Sequence, residues 1–166
     1  MIDVRDIYKD VNNYLNKEVV LNGWIRNHRK QKEFGFITFF DGTVFEPVQI
    51  VYDKKLENFD EIQKLRVGSA ISVTGLVVKN PKEGQEFEIQ ASKIKLEGDC
   101  PEDYPLQPKR HSMEFLREIA YLRPRTNTFQ AVFRVRSVAA MAIHKYFQDK
   151  GFVYLHAPLI TASDCE

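Results

Sequence analysis

Residues 56–65 read LENFDEIQKL, and this stretch decides which architecture the chain can adopt. Its apolar residues, Leu56, Phe59, Ile62 and Leu65, recur every three positions, and this spacing predicts a helix. Short runs of β-branched and aromatic residues lie on both sides of it and predict strands. Three such runs precede the helix and two follow it. The predicted order is therefore three strands, a helix and two more strands.

The predicted strands are short and numerous enough for a small barrel. Five strands with a helix between the third and the fourth is the order of the OB-fold, a partly open barrel whose exposed face binds oligonucleotides. The last two strands are predicted to join through a hairpin turn at residues 82–85, KEGQ. The predicted fold class is thus mainly β with α. The predicted strands are Glu18–Asn27, Phe34–Asp41, Pro47–Tyr52, Ser69–Lys79 and Glu86–Lys95.

The first two strands combine positive charge with aromatic rings. Residues 24–32, WIRNHRKQK, are strongly basic and precede a run of phenylalanines. Cations that follow a phosphate backbone, beside rings on which bases stack, are typical of single-stranded nucleic-acid sites. Alternation places Phe36 and Phe40 on one face of the second strand. Ile37 and Phe39 share the other face, and one of these two faces must belong to the core. The alternative is that all the rings fill the barrel and the basic run is a solvated edge.

Two further residues of the barrel are candidates for a role in binding. Gln49 can both donate and accept hydrogen bonds, which suits it to the edge of a base, although glutamine in a strand is more often only solvent-facing. Trp24 is predicted to serve packing.

Residues beyond the barrel differ in composition. Three prolines between residues 100 and 111 exclude a helix or central strand and predict a linker. Ser112 is predicted to cap a short helix that runs through Tyr121. Asn127 or Thr128 is predicted to cap a longer helix from about Phe129 to Lys150. Gly151 is predicted to end that helix, with a strand over residues 152–160. The sequence VAAMAI, residues 138–143, makes the long helix apolar on every side, so we expect a partner subunit or a further part of the protein against it.

Composition and charge exclude several classes of function. The chain has 166 residues and a net charge of +1, and its two cysteines have neither CxxC spacing nor a histidine at metal-ligand spacing. The start lacks a signal sequence and no apolar run could span a membrane, so we expect a soluble, cytoplasmic protein. The glycines form no phosphate-binding loop, and no ATP or metal site and no catalytic residue is predicted.

Three segments carry a resemblance to a known family. GWIRNHR (residues 23–29), FLREIAYLRPRTNTF (115–129) and GFVYLHAPLITASDCE (151–166) resemble bacterial asparaginyl-tRNA synthetases. These belong to the class II aminoacyl-tRNA synthetase subgroup that also contains the aspartyl and lysyl enzymes. The resemblance implies an OB-fold anticodon-binding domain over residues 1–99 and a linker over 100–111. Residues 112–166 would then be the start of an incomplete α+β catalytic domain, containing its motif 1.

The resemblance also implies roles for individual residues. Phe36 would stack on the central anticodon base, and Arg29 and Gln49 would contact the same uridine. Motif 1, a long helix and a strand, would form a homodimer interface, and Glu166 would meet the amino group of the amino acid. The residues implied at the dimer interface are Phe129, Val132, Ala139, Ile143, Gly151 and Pro158.

The implied function is that of one part of an enzyme. The whole synthetase would couple asparagine to tRNA(Asn) using ATP and Mg²⁺. Motifs 2 and 3, which hold the ATP site, are absent here, so the chain alone is expected to be inactive and to need no cofactor. Neither DNA nor a membrane is an expected partner. One alternative is a free-standing OB-fold RNA-binding or regulatory module, and another is a purely structural interaction protein.

Overall fold

The computed structural model describes residues 2–80, 85–158 and 160. The chain divides into two compact units, one ending at Leu122 and the other beginning at Arg123. In chain order the elements are α1 (Val4–Lys9), α2 (Val11–Tyr14), β1 (Glu18–Lys30), β2 (Phe34–Phe40), β3 (Val48–Asp53), α3 (Phe59–Ile62), β4 (Ala70–Lys79), β5 (Phe87–Gly98), α4 (Met113–Glu118), a 3₁₀ turn (Arg123–Arg125) and α5 (Asn127–Asp149).

The five strands form the predicted barrel. It closes in the order β1-β2-β3-β5-β4, and every pair is antiparallel except β3 with β5. The predicted strand order, with a helix between the third and fourth strands, is confirmed. β1 and β5 each continue beyond their predicted ends at Asn27 and Lys95. The predicted hairpin turn lies mostly outside the described residues, at 82–84.

Strand alternation fills the barrel with apolar side chains. In β2, Ile37 and Phe39 are fully buried, while Phe36, Thr38 and Phe40 are half-buried on the outer face. The prediction that one of the two faces is core is therefore confirmed, and the alternative that all the rings fill the barrel is wrong. Each buried aliphatic or aromatic side chain contributes about 1.5–3 kcal/mol relative to an exposed one.

The segment LENFDEIQKL packs its apolar side chains into the core with less helix than predicted. The α-helix covers only Phe59–Ile62, and the backbone bonds from Phe59 N to Leu56 O and from Leu65 N to Ile62 O are three-residue turns. Such turns repeat every three residues, which is the spacing of the apolar side chains. All four of those side chains are buried in the core.

Two short N-terminal helices, for which the sequence carried no predicted element, pack against the barrel. The loop after β2 holds the start of α1, because Asp41 Oδ2 accepts from Val4 N at 2.8 Å and Thr43 Oγ1 accepts from Arg5 N at 3.1 Å. Tyr8 contacts Phe87 of β5 edge-on, with ring centroids 4.9 Å apart. These contacts fix the end of β2 that carries Phe40.

The predicted linker has no helix or strand between β5 and Ser112. Its first residues are attached to the barrel through Arg66, which pairs with Asp99 at 3.1 Å and Glu102 at 2.9 Å and donates to the Cys100 carbonyl. The domain boundaries at residues 99 and 112 stay predictions.

The helices that follow begin and end at identifiable caps. Ser112 Oγ accepts from Phe115 N, as predicted, although α4 ends at Glu118 rather than near Tyr121. The cap of α5 is Thr126, so the prediction of Asn127 or Thr128 is wrong by one or two positions. At the other end, Gly151 adopts a φ of +84°, and the bonds Gly151 N to Gln148 O and Phe152 N to Phe147 O close a Schellman motif.

The prediction of a strand over residues 152–160 is wrong for its described part. Residues 152–158 form neither helix nor strand. A strand exists only when a neighbouring strand supplies its hydrogen bonds, and no described residue pairs with this segment.

Candidate nucleic-acid interface

The outer faces of β1, β2 and β3 form one continuous surface. In the register of the sheet, Arg29 lies opposite Phe36, and Phe36 opposite Val51. In the next row, Asn27, Thr38 and Gln49 lie side by side. Residues directly opposite each other on neighbouring strands share a face of the sheet. The three predicted anticodon residues, although on three strands, therefore face the same way.

A β-bulge in β1 makes this possible. The register with β2 shifts between Ile25 and Asn27, so that Arg26 is an extra residue. Without the shift, strict alternation from the outward-facing Trp24 would turn Arg29 inward and His28 outward. The bulge reverses this order and places Arg29 beside Phe36.

Arg29, Phe36 and Gln49 form a contact cluster. The Arg29 guanidinium carbon lies 5.1 Å from the centroid of the Phe36 ring. Its Nη2 donates to Gln49 Oε1 at 3.0 Å. A half-buried aromatic ring, a cation and an amide are thereby held together on one surface. They offer a stacking face together with donors and an acceptor for the edge of a base.

Glu88 on β5 is a member of the cluster that the sequence analysis missed. Its Oε2 accepts from Gln49 Nε2 at 2.9 Å. The Gln49 amide is thus held at both ends, by Arg29 and by Glu88, which fixes its orientation. The two residues are 39 positions apart, and no local pattern in the sequence relates them.

His28 differs from the other basic residues of its run, because it turns toward the core. Its Nε2 lies 2.6 Å from the Tyr52 hydroxyl and its Nδ1 lies 3.1 Å from the Leu65 carbonyl oxygen. A carbonyl only accepts, so Nδ1 carries the proton and the Tyr52 hydroxyl donates to Nε2. Burial lowers the pKa of His28 and raises the pKa of Tyr52 to about 12. His28 is therefore a neutral structural residue rather than a cation for phosphate.

We expect this histidine to make the barrel less stable in mild acid. Its pKa in the folded chain lies below the ordinary value of 6.5, so the unfolded chain binds more protons near that pH. The free energy of unfolding should fall as the pH is lowered through 6.5, and fall further until the folded-state pKa is reached. Urea unfolding at about pH 7.5 and about pH 5.5 measures this difference.

The matched variants are His28→Gln and His111→Gln. The first should reduce the loss of stability between the two pH values by more than the second, which replaces a histidine outside the barrel. An equal loss in His28→Gln and in the unsubstituted chain would refute the assignment.

Trp24 lies on the outer face and is not part of the core. It is 43% exposed and lies opposite Phe40 in the register of β1 and β2. The prediction of a packing role for this residue is therefore wrong as far as the barrel interior is concerned.

The residues predicted at a dimer interface belong to the second unit. At 100° per residue, Phe129, Val132, Ala139 and Ile143 share one face of α5. Val132 and Ile143 are exposed, and so are Gly151 and Pro158 after the helix. Glu166, predicted to meet the amino acid, lies outside the described residues.

The described parts of the chain provide neither a metal centre nor a membrane span. Among residues 2–80, 85–158 and 160, no three His, Cys, Asp or Glu side chains are grouped so that they could hold a metal ion. Within the same residues, every helix is too short or too polar to cross a membrane.

Comparison with known proteins supports the assignment of the barrel. The family described as OB-fold nucleic acid binding domain matches residues 19–97. The asparagine–tRNA ligase of Clostridium tetani is 54% identical over 165 residues, which is 99% of this chain and 36% of that protein. The corresponding ligase of Acholeplasma laidlawii is 56% identical over 166 residues, again 36% of its length. Over nearly its whole length, the chain is homologous to asparagine–tRNA ligases.

Solved structures share the fold at lower sequence identity. The crystal structure of asparaginyl-tRNA synthetase from Pyrococcus horikoshii superposes with a TM-score of 0.81 at 23% identity, covering 95% of this chain and 37% of that one. The enzyme from Entamoeba histolytica in complex with asparaginyl-adenylate gives 0.80 at 22% identity, covering 97% and 38%. The chain therefore spans little more than a third of the length of the ligases and structures that it matches.

Proposed function

We propose that this chain is the anticodon-binding part of an asparagine–tRNA ligase. The outer face of β1, β2 and β3 would bind the anticodon loop of tRNA(Asn), with Phe36 stacking on the central uridine. The observation that carries the proposal is the cluster in which Arg29 covers the Phe36 ring and donates to Gln49. Rings, cations and an oriented amide on the outer face of an OB-fold are the components of a single-stranded RNA site.

The cluster can exchange its internal contacts for contacts with a base. A guanidinium above an exposed ring is worth about 0.5–1 kcal/mol, whereas a base stacked on such a ring is worth about 1–3 kcal/mol. A base should therefore displace Arg29 from the face of Phe36. The released guanidinium can then donate to an oxygen of the uracil or to a phosphate, while Glu88 continues to hold Gln49 Nε2.

The whole enzyme would couple asparagine to that tRNA with ATP and Mg²⁺. Among the described residues, no three His, Cys, Asp or Glu side chains are clustered so that they could hold a metal ion, and the sequence contains no phosphate-binding glycine loop. We therefore assign no step of amino-acid activation to this chain. We place its action in the cytoplasm.

The exposed apolar side of α5 suggests a second part of the function. On the face that carries the residues predicted at a dimer interface, Val132 is 46% exposed and Ile143 is 60% exposed. We propose that the corresponding helix of a second copy covers this side, as the resemblance to motif 1 implies. The molecular mass of the chain in solution is the measurement that checks it.

We expect Phe36→Ala to weaken RNA binding about 5- to 150-fold, the effect of removing one stacking ring. Fluorescence anisotropy with a labelled stem-loop RNA carrying the anticodon GUU measures the affinity. Tyr121→Ala removes a ring that is 78% exposed outside the barrel, and it should leave the affinity unchanged. A melting curve of each variant shows that it is folded.

The same assay separates the proposed function from its alternatives. Replacing the central uridine of the anticodon should weaken binding to the unsubstituted chain, and should weaken it less in Phe36→Ala. Equal affinity for all anticodons would instead indicate an RNA-binding module without this specificity. Absence of any salt-dependent RNA binding would indicate an interaction protein.

A further inference from the structure

A second aromatic ring lies farther along the outer face of β2, with a cation from β1 beside it. The Arg26 guanidinium carbon lies 4.5 Å from the centroid of the Phe40 ring. The relation matches that of Arg29 to Phe36, and both rings are half-buried on the outer face. The two rings are four positions apart along the strand, a distance of about 13 Å.

The β-bulge and the register concentrate three side chains at this position. Arg26 is the extra residue of the bulge, and Trp24, 43% exposed, lies opposite Phe40. The hydrogen bonds that Asp41 and Thr43 accept from the start of α1 fix the loop that follows Phe40. The second position is therefore on a fixed part of the barrel, continuous with the first.

The charge at this position favours an anionic strand. Burial lowers the pKa of Arg26, and its guanidinium remains charged at neutral pH. A partly desolvated cation attracts a phosphate more strongly than a fully solvated one. An apolar ring beside such a cation suits a nucleotide, with its flat base and its negative charge.

We propose that Phe40, Arg26 and Trp24 form a second base-binding position for the same RNA strand that Phe36 engages. Phe40 provides the stacking face, and Arg26 moves from the ring to a neighbouring phosphate. This inference rests on the proposed function of the barrel. Neighbouring bases that occupy the two positions must be unstacked, because about 13 Å is nearly four times the 3.4 Å rise between stacked bases.

Phe40→Leu tests the proposal, because leucine keeps an apolar side chain at this position but has no flat ring. The affinity of this variant is compared with that of the unsubstituted chain on the GUU stem-loop, and on a set of RNAs that each lack one loop base. We expect about 5- to 100-fold weaker binding to the intact RNA. The loss of affinity caused by Phe40→Leu should disappear on only one of the abasic RNAs. That RNA should differ from the one on which the loss caused by Phe36→Leu disappears.

Trp24 provides an independent signal, because it is the single tryptophan of the chain. Its fluorescence should change when the intact RNA binds. The fluorescence change should be smaller with the abasic RNA on which Phe40→Leu causes no loss of affinity. It should persist with the abasic RNA on which Phe36→Leu causes no loss of affinity.

Each outcome decides one proposal. If Phe40→Leu binds the intact RNA as the unsubstituted chain does while Phe36→Leu does not, the second position is refuted and the anticodon site stands. If the penalty of Phe40→Leu is the same on every abasic RNA, the ring acts on the fold and not on a base, which also refutes it. If the unsubstituted chain binds none of the RNAs, the proposed function itself fails.

Discussion

Phe39→Ala is expected to lower the free energy of unfolding by about 3–5 kcal/mol. The Phe39 ring is fully buried in the barrel and belongs to its apolar core. Alanine would leave a cavity that a closed five-stranded barrel cannot easily collapse to fill. Domains of this kind are stable by only about 5–15 kcal/mol, so the loss would be a large part of the total. Denaturant unfolding monitored by circular dichroism measures it.

Phe36→Ala is the matched control, since it removes the same side chain from the outer face of the same strand. Its cost should be about 1 kcal/mol, because the ring is only half-buried and its contact with Arg29 is worth less than core packing. Phe39→Ala should keep its RNA affinity wherever it remains folded, whereas Phe36→Ala should lose affinity. Equal destabilisation by the two substitutions would contradict the assignment of the faces.

Gly35→Ala is expected to lower the free energy of unfolding by about 2–4 kcal/mol, although a glycine in a strand is normally improved by alanine. A Cβ at Gly35 would lie 2.6 Å from Tyr52 Cε1 and closer still to the hydroxyl end of that ring. Tyr52 is buried and bonded to His28, so the ring can move only by breaking a buried hydrogen bond. That loss adds about 1–3 kcal/mol to the steric cost.

Gly98→Ala, in β5, provides the comparison for Gly35→Ala. The nearest atom to a Cβ at Gly98 is the Ala70 Cβ at 3.7 Å, an ordinary contact. This variant should stay within about 0.5 kcal/mol of the unsubstituted chain. NMR titration of His28 gives a second reading, because displacing Tyr52 should alter the titration in Gly35→Ala only. If Gly35→Ala proves as stable as Gly98→Ala, the close approach of strand and tyrosine is not present in solution.

Much of the fold could be predicted from local patterns. The strand runs and the three-residue repeat from Leu56 to Leu65 gave the order of the barrel, and alternation separated Phe36 from Phe39. Ser112 and Gly151 were recognisable as helix ends. These features depend on a few neighbouring residues, because a strand repeats every two residues and a helix cap is formed within one turn. The strand predicted over residues 152–160 failed because a strand also needs a partner.

The candidate site depends on both the local sequence and the tertiary structure. The sequence by itself determined which side chains are available for binding: a basic and aromatic run in β1 and β2, and a glutamine in β3. Its resemblance to a known family identified Arg29, Phe36 and Gln49 among them. Only the tertiary structure decided which of those side chains meet. The bulge at Arg26 exists in the pairing of β1 with β2, and Glu88 reaches Gln49 because β5 closes beside β3. The register and the order of neighbouring strands are set by hydrogen bonds between segments that are distant in the sequence. A local sequence pattern therefore cannot predict them.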